Sequence, residues 1–246
     1  METSIDAILN RRLTVEQPKK GFRVAIDTII MPAAVYARTG EKALDLGCGV
    51  GGAMLALGVR VMGLRVDGLE IQPEIADICR NNVIRNHYED RMEVTTGDVT
   101  FLPGHLLFKY DHVMMNPPYH ESEKNDAPPD ESKRIASIAP GGDLEIWVTS
   151  AARCLKMTGI MVMINRADRE EEILNVMKPY FGDTEIMHLL PKKDEAPKRI
   201  LLRAQKGEGA NPVLCRPMVL HRAAGGYTDE LDAILRHGKP LDFMRV

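Results

Sequence analysis

Asn116-Pro117-Pro118-Tyr119 is the stretch of this chain whose residue types and order are best suited to chemistry. The apolar run Val113-Met114-Met115 before it reads as the end of a buried strand. Two consecutive prolines fix φ and delete two backbone donors, so the strand must stop there. Asn116 precedes a proline and is pushed toward an extended conformation. What remains is a rigid corner rich in acceptors: the Asn116 carboxamide oxygen, the Pro117 carbonyl, and the Tyr119 ring beside them. An exocyclic amine on a planar group carries two hydrogens and a face, and such a corner can hold all three. The implied chemistry is at an amino nitrogen. Asn-Pro and Pro-Pro are also ordinary loop punctuation, so the corner draws its weight from what lies upstream.

Upstream, Asp45-Leu46-Gly47-Cys48-Gly49-Val50-Gly51-Gly52 falls where an apolar strand gives way to a helix. Glycines there let the backbone approach a ligand closely and leave amide donors at a helix N-terminus. A Gly-x-Gly loop alone is shared by many nucleotide-binding sites, and the acids around it are more specific. Glu70 ends the next strand, where a carboxylate can accept hydrogen bonds from both hydroxyls of a ribose. Asp98 ends the strand after that, within reach of an adenine amino group. Each acid has an ordinary reading: Asp45 as a cap, Glu70 as a solvated strand end, Asp98 as a turn former. Solvation does not readily explain three acids at successive strand ends in register with the glycine loop. Ligands of open α/β sheets sit at those carboxyl ends.

The elements that must position these residues follow from the alternation of short apolar runs with segments of helical period, the pattern of a parallel sheet covered on both faces. Strands are expected at 43–46, 66–70, 92–96, 111–115, 158–165, 184–190 and 199–204. Helices are expected at 52–62, 74–86 with Pro73 in the first turn, 143–155 and 169–180. The last two strands are separated only by 191–198, too short for a crossover helix, which favours an antiparallel hairpin. The result is an α/β, Rossmann-like seven-stranded sheet, mostly parallel, with helices on both faces. Residues 1–24 form an N-terminal extension, 25–206 the main domain and 207–246 a C-terminal extension. In the latter, Thr228 is expected to cap a helix running to Arg236, with Gly238 past its end. Asp27 is expected to cap a helix through Tyr36, and Trp147 is assigned to the core. The polar, proline-containing loop 121–133 is long enough to be a lid.

At 246 residues the chain can bury a substantial core. It has no apolar run long enough for a membrane span, and its acidic, polar beginning does not resemble a secretory signal. The cysteines Cys48, Cys79, Cys154 and Cys215 are far apart, which argues against a zinc site or a disulfide framework and suits a reducing cytoplasm. The seven histidines show no metal spacing, and no metal is expected. A net charge of −3 gives no global field for nucleic acid, so any such binding must come from local patches. The basic candidates are Arg11, Arg12, Lys19, Lys20 and Arg23 early in the chain, with Lys192, Lys193, Lys198 and Arg199 late in it.

With the loop, the acids and the corner together, the chain resembles the class I S-adenosylmethionine-dependent methyltransferases, and within them the amino-methylating group. The segment Gln17-x-x-x-Gly21-Phe22-Arg23-x-x-x-Asp27-Thr28 and the later Lys198-Arg199-Ile200-Leu201 are similar to the bacterial valine-tRNA adenine-N6 methyltransferases. The likeness spans roughly 17–206 and departs from the family pattern at Ser137-Ile138-Ala139, after Arg134-Ile135-Ala136. It implies S-adenosyl-L-methionine as cofactor, held by Asp45, Gly47, Gly49, Gly51, Glu70, Asp98 and Asn116. It implies Asn116, Pro117 and Tyr119 as catalytic residues, Tyr119 and Arg23 as substrate contacts, and RNA, specifically tRNA, as partner. The protein is expected to be a monomer or homodimer. A side-chain amide also offers two hydrogens and a planar face, so a protein-glutamine N-methyltransferase is the alternative. A methyltransferase-like binding subunit and a nicotinamide-dependent reductase are the readings from other classes.

Overall fold

The computed structural model describes residues 1–21, 23–118, 144–209 and 211–245. Tyr119, the expected lid 121–133 and the departure at 137–139 lie outside the described residues.

Seven strands carry the main sheet: β3 (Lys42–Leu46), β4 (Arg65–Glu70), β5 (Met92–Thr96), β6 (Tyr110–Met115), β7 (Leu155–Arg166), β8 (Phe181–Leu190) and β9 (Arg199–Lys206). Their order is β8-β9-β7-β6-β3-β4-β5, and β9 runs antiparallel to both β7 and β8. The expected parallel sheet with a final antiparallel hairpin is what forms. Chain order reverses between β3 and β6, which pair in parallel with Leu46 level with Met115. That switch point opens a crevice at the carboxyl ends of the strands.

Three helices of the first half are α1 (Ile26–Ala33), α2 (Gly52–Arg60) and α3 (Pro73–Arg85). The second half supplies α4 (Leu144–Cys154), α5 (Glu170–Met177) and α6 (Asp229–His237). The strands are buried on both faces and alternate between two cores. Met114, Val162 and Ile164 point to the side of α1, α2, α3 and α6, whereas Val113, Met115 and Met163 point to the side of α4 and α5. Trp147 belongs to the second core, as expected.

Two parts of the fold were not expected. Residues 1–18 form a hairpin, β1 (Thr3–Ile8) with β2 (Leu13–Pro18). Asn82 of α3 fastens it: its Oδ1 accepts from Glu16 N at 2.7 Å, and its Nδ2 donates to Glu16 O at 2.8 Å and to Val50 O at 2.9 Å. One buried side chain thus ties the hairpin to the glycine loop. Beyond residue 206, the two-residue strands β10 (Val213–Leu214) and β11 (Met218–Val219) extend the sheet in parallel with β8. Thr228 caps α6 as expected, accepting from Leu231 N, and Gly238 terminates it at φ 63°.

The tail after α6 packs back on the sheet. Tyr36 Oη donates to Leu241 O at 2.9 Å, and the Arg203 guanidinium lies between the rings of Tyr36 and Phe243, at 4.0 and 4.6 Å from their centroids. Near the same end, Arg12 donates to His237 O at 3.1 Å and to Val59 O at 3.2 Å. Asp27 corrects an expectation: Ala25 is the N-cap of α1, and Asp27 sits in the first turn with an ion pair to Arg199 at 3.0 Å. The helix ends at Ala33 rather than Tyr36, just after Pro32, which has no N–H to give to the helical ladder.

Candidate active site

The loop after β3 folds against β4 through its own backbone. Gly47 N and Cys48 N both donate to Leu69 O, at 2.8 and 3.0 Å, and Gly49 N donates to Glu70 Oε2 at 3.0 Å. These amides are therefore committed to holding the loop and are not left over for an anion, as the glycine pattern alone had implied. Gly47 needs to be glycine for two reasons. Its φ is 73°, and a Cβ there would stand 2.6 Å from the Trp147 ring. Gly49, also left-handed at φ 54°, has no atom of the described residues within 4 Å of where its Cβ would be, so the loop presents bare backbone there.

The three acids differ in state. Asp45 is almost fully buried; one carboxylate oxygen accepts from Met54 N in the first turn of α2, and Oδ2 has no hydrogen-bond partner among the described residues. Burial pushes its carboxyl up to about 7, with the Glu70 charge adding to the shift against the Met54 hydrogen bond. Glu70 is not a solvated strand end: it is 6% exposed, and its two oxygens accept from Gly49 N and from Gln72 N at 2.9 Å. Burial raises its pKa, opposed by those backbone donors. The Ile71 backbone and the Gln72 side chain also donate to this carboxylate. Asp98 does act as a turn former, since Oδ1 accepts from Thr100 N at 2.8 Å and caps the 3₁₀ turn Val99–Phe101.

One cavity of about 190 Å³ gathers these groups. Asp45, Gly47, Gly49, Glu70 and Asp98 line it together with Asn116 and Pro118 of the corner. Gly51 does not; it turns into α2 at φ 87°, over the Cys79 thiol. Pro117 is buried beside the wall while Asn116 and Pro118 are half-buried. Cavity residues that sequence reasoning missed include Trp147, Val24 and Thr28. Trp147 was read as core, and its burial is consistent with that, yet its ring also borders the cavity above Gly47. Val24 and Thr28 pack where a Cβ on Gly52 would be, a contact across the chain that no spacing rule signals.

Arg23 also reaches the cavity wall. Its guanidinium pairs with Asp6 of β1 at 2.8 Å and donates to Pro18 O at 2.8 Å, so the hairpin orients it. The other basic candidates do not converge here. Arg12 braces α6, Lys19 pairs with Glu2 at 3.3 Å, and Arg199 pairs with Asp27. Among the described residues no helix is long and apolar enough to cross a membrane.

Comparison with known proteins agrees with this fold. The family model described as the methyltransferase small domain matches residues 23–190. A tRNA1(Val) (adenine(37)-N6)-methyltransferase from Porphyromonas gingivalis is 26% identical over 233 residues, covering 89% of each chain. A protein of the same name from Phocaeicola vulgatus is 27% identical over 195 residues, covering 78% of this chain and 80% of that one. Among solved structures, a predicted O-methyltransferase from Agrobacterium tumefaciens superposes with a TM-score of 0.73 at 24% identity, over 89% of this chain and 99% of its own. A tRNA (m1A58) methyltransferase from Aquifex aeolicus shares the fold at a TM-score of 0.57 and 13% identity, over 78% and 72%. With a family model spanning both the glycine loop and the corner, the chain belongs to the methyltransferase small domain family and is an S-adenosylmethionine-dependent methyltransferase.

Proposed function

We propose that this enzyme methylates an exocyclic amino nitrogen, N6 of an adenine in tRNA. The observation that carries the reading is the placement of Asn116 and Pro118 in one cavity with Asp45, Glu70 and Asp98. The names of curated relatives at 26–27% identity support the tRNA adenine. A nicotinamide-dependent reductase is set aside by the family.

The cavity fits the donor on its own terms. Asp45 Oδ2, buried and without a partner among the described residues, suits the ammonium of an amino acid, and the space over Gly49 admits a ligand against bare backbone. Glu70 would accept from the ribose hydroxyls, and Asp98, through the oxygen not used on Thr100, from the adenine amino group. When bound, S-adenosylmethionine supplies a methyl group already activated on a sulfonium. The residues then have to present a nucleophile with an available lone pair, in line. The lone pair of an adenine amino group is conjugated into the ring. The Asn116 carboxamide oxygen and the Pro117 carbonyl would accept its two hydrogens and favour a pyramidal nitrogen. Tyr119 would hold the base by stacking, worth about 1–3 kcal/mol, and Arg23 would face the substrate side. A paired or stacked adenine has to be extruded first. No general base is needed before attack, because the cationic product sheds its proton afterwards.

The test is incubation with labelled donor and total RNA or total protein, followed by nucleoside and peptide mass spectrometry. The expected product is N6-methyladenosine in tRNA. Label confined to glutamine would replace this reading with the protein substrate, and absence of donor binding by calorimetry would indicate a binding subunit. Asn116→Ala is expected to abolish transfer while leaving donor affinity within about three-fold, a change under 1 kcal/mol.

A further inference from the structure

We infer that Phe101 is a stacking platform for an RNA base flanking the target nucleotide; the inference rests on the reading of an RNA substrate. Phe101 is 83% exposed, the most exposed large apolar side chain among the described residues. A lone exposed apolar residue is ordinary on a protein surface. Phe101 is set apart by its mounting and its address.

The mounting is rigid. Phe101 closes the 3₁₀ turn that Asp98 caps, and its own N–H donates to Asp98 O at 3.1 Å. Ser150 Oγ of α4, itself buried, donates to Val99 O at 2.7 Å. Val99 and Leu102, on either side, are buried at 7% and 9% exposure and belong to the second core. The backbone is thus pinned from below, and the ring is held out in water where it gains nothing for the fold.

The address is the rim of the cavity. Asp98 and Val99 line the cavity, and Phe101 follows them at the carboxyl end of β5. The corner extends β6, three strand positions away in the order β6-β3-β4-β5. At about 4.8 Å per strand that is roughly 14 Å. A base extruded into the corner keeps its neighbours on the same strand, and one of them placed across this edge of the sheet would meet the ring. An aromatic face is a sequence-tolerant way to hold such a neighbour, because every base has a π-face. With a net charge of −3, the chain has little general attraction for RNA, which makes local stacking the more valuable.

The experiment measures steady-state kinetics on the RNA that the wild-type enzyme methylates, with donor affinity read separately by calorimetry. Phe101→Ala is expected to raise KM for RNA about ten-fold, as loss of one stacked base requires, with kcat and donor affinity unchanged. Phe101→Trp is expected to restore KM, and adding RNA is expected to lower its emission further than that of the wild type, whose one tryptophan, Trp147, borders the cavity. If the wild type methylates RNA and Phe101→Ala leaves KM unchanged, the platform is wrong and the RNA reading stands. If Phe101→Ala converts a dimer to a monomer in sedimentation at unchanged KM, the ring is a subunit contact instead. If the wild type methylates glutamine and no RNA, both fall together.

Discussion

At the scale of single residues, Asp45 is the group whose behaviour the site most depends on. Its carboxyl is buried, one oxygen has no partner among the described residues, and burial pushes its pKa up to about 7, so its ionisation is expected to change near neutral pH. An ammonium beside it favours the ionised form, and binding must displace the proton. Donor affinity is therefore expected to rise as pH increases from 6 to about 7.5, and calorimetry in buffers of different ionisation enthalpy should show proton release. Asp45→Asn is expected to flatten that dependence and weaken binding about ten-fold or more, a loss of at least 1.4 kcal/mol. For stability the direction is opposite. The folded pKa lies above the unfolded value of 3.8, so the contribution is complete below pH 3.8 and is lost as pH rises to about 7, beyond which it changes no further. Thermal unfolding of the empty Asp45→Asn protein should lack that decline. A steady donor affinity between pH 6 and 7.5 would show that Asp45 is ionised throughout.

Among elements, the hairpin and α3 show how the site depends on parts remote from the chemistry. Asn82 makes three hydrogen bonds, two to Glu16 in β2 and one to Val50 O in the glycine loop. Asn82→Leu would leave three backbone groups without partners in a buried place and is expected to cost about 2–4 kcal/mol, measured by urea unfolding. Donor affinity should fall with it, because the loop loses its tie. The central strands were legible because parallel strands buried on both faces read as apolar runs, as in Val113-Met114-Met115. The corner and the strand-end acids were legible for a related reason: strand ends in such a sheet are marked by turn residues. The hairpin was not. Its turn, Leu9-Asn10-Arg11, takes left-handed φ of 48°, 53° and 64° without a glycine, so the usual signal is missing. Asp27 was misread because a carboxylate near a helix start suits a cap, whereas here it serves Arg199 across the fold. Strands of two residues, such as β10 and β11, are too short to leave a pattern.

On the scale of the whole molecule, the segment beyond residue 206 is part of the same packed body. Leu241 and Phe243 are buried, and the tail secures Tyr36 and Arg203. Removing residues 239–246 is expected to destabilise the protein by about 3 kcal/mol, since burying a Phe or Leu side chain is worth roughly 1.5–3 kcal/mol. For a chain of this size that lowers Tm by roughly 6–12 °C. The cavity is far from the tail in sequence and framed by other strands, so donor affinity measured well below the new Tm should be unchanged.

The bracing of α6 by Arg12 has a consequence for how the molecule is made. The two residues of the contact are 225 positions apart, whereas the tie from β2 to α3 spans 66. At roughly 5–20 residues per second, synthesis takes about 11–45 s to cover the longer span. During that interval the hairpin can dock on α3 and complete the glycine loop, while Arg12 waits for a helix that does not yet exist. The methyl-donor half is thus able to assemble on the ribosome first, and the last helix packs on α1 once that site is built.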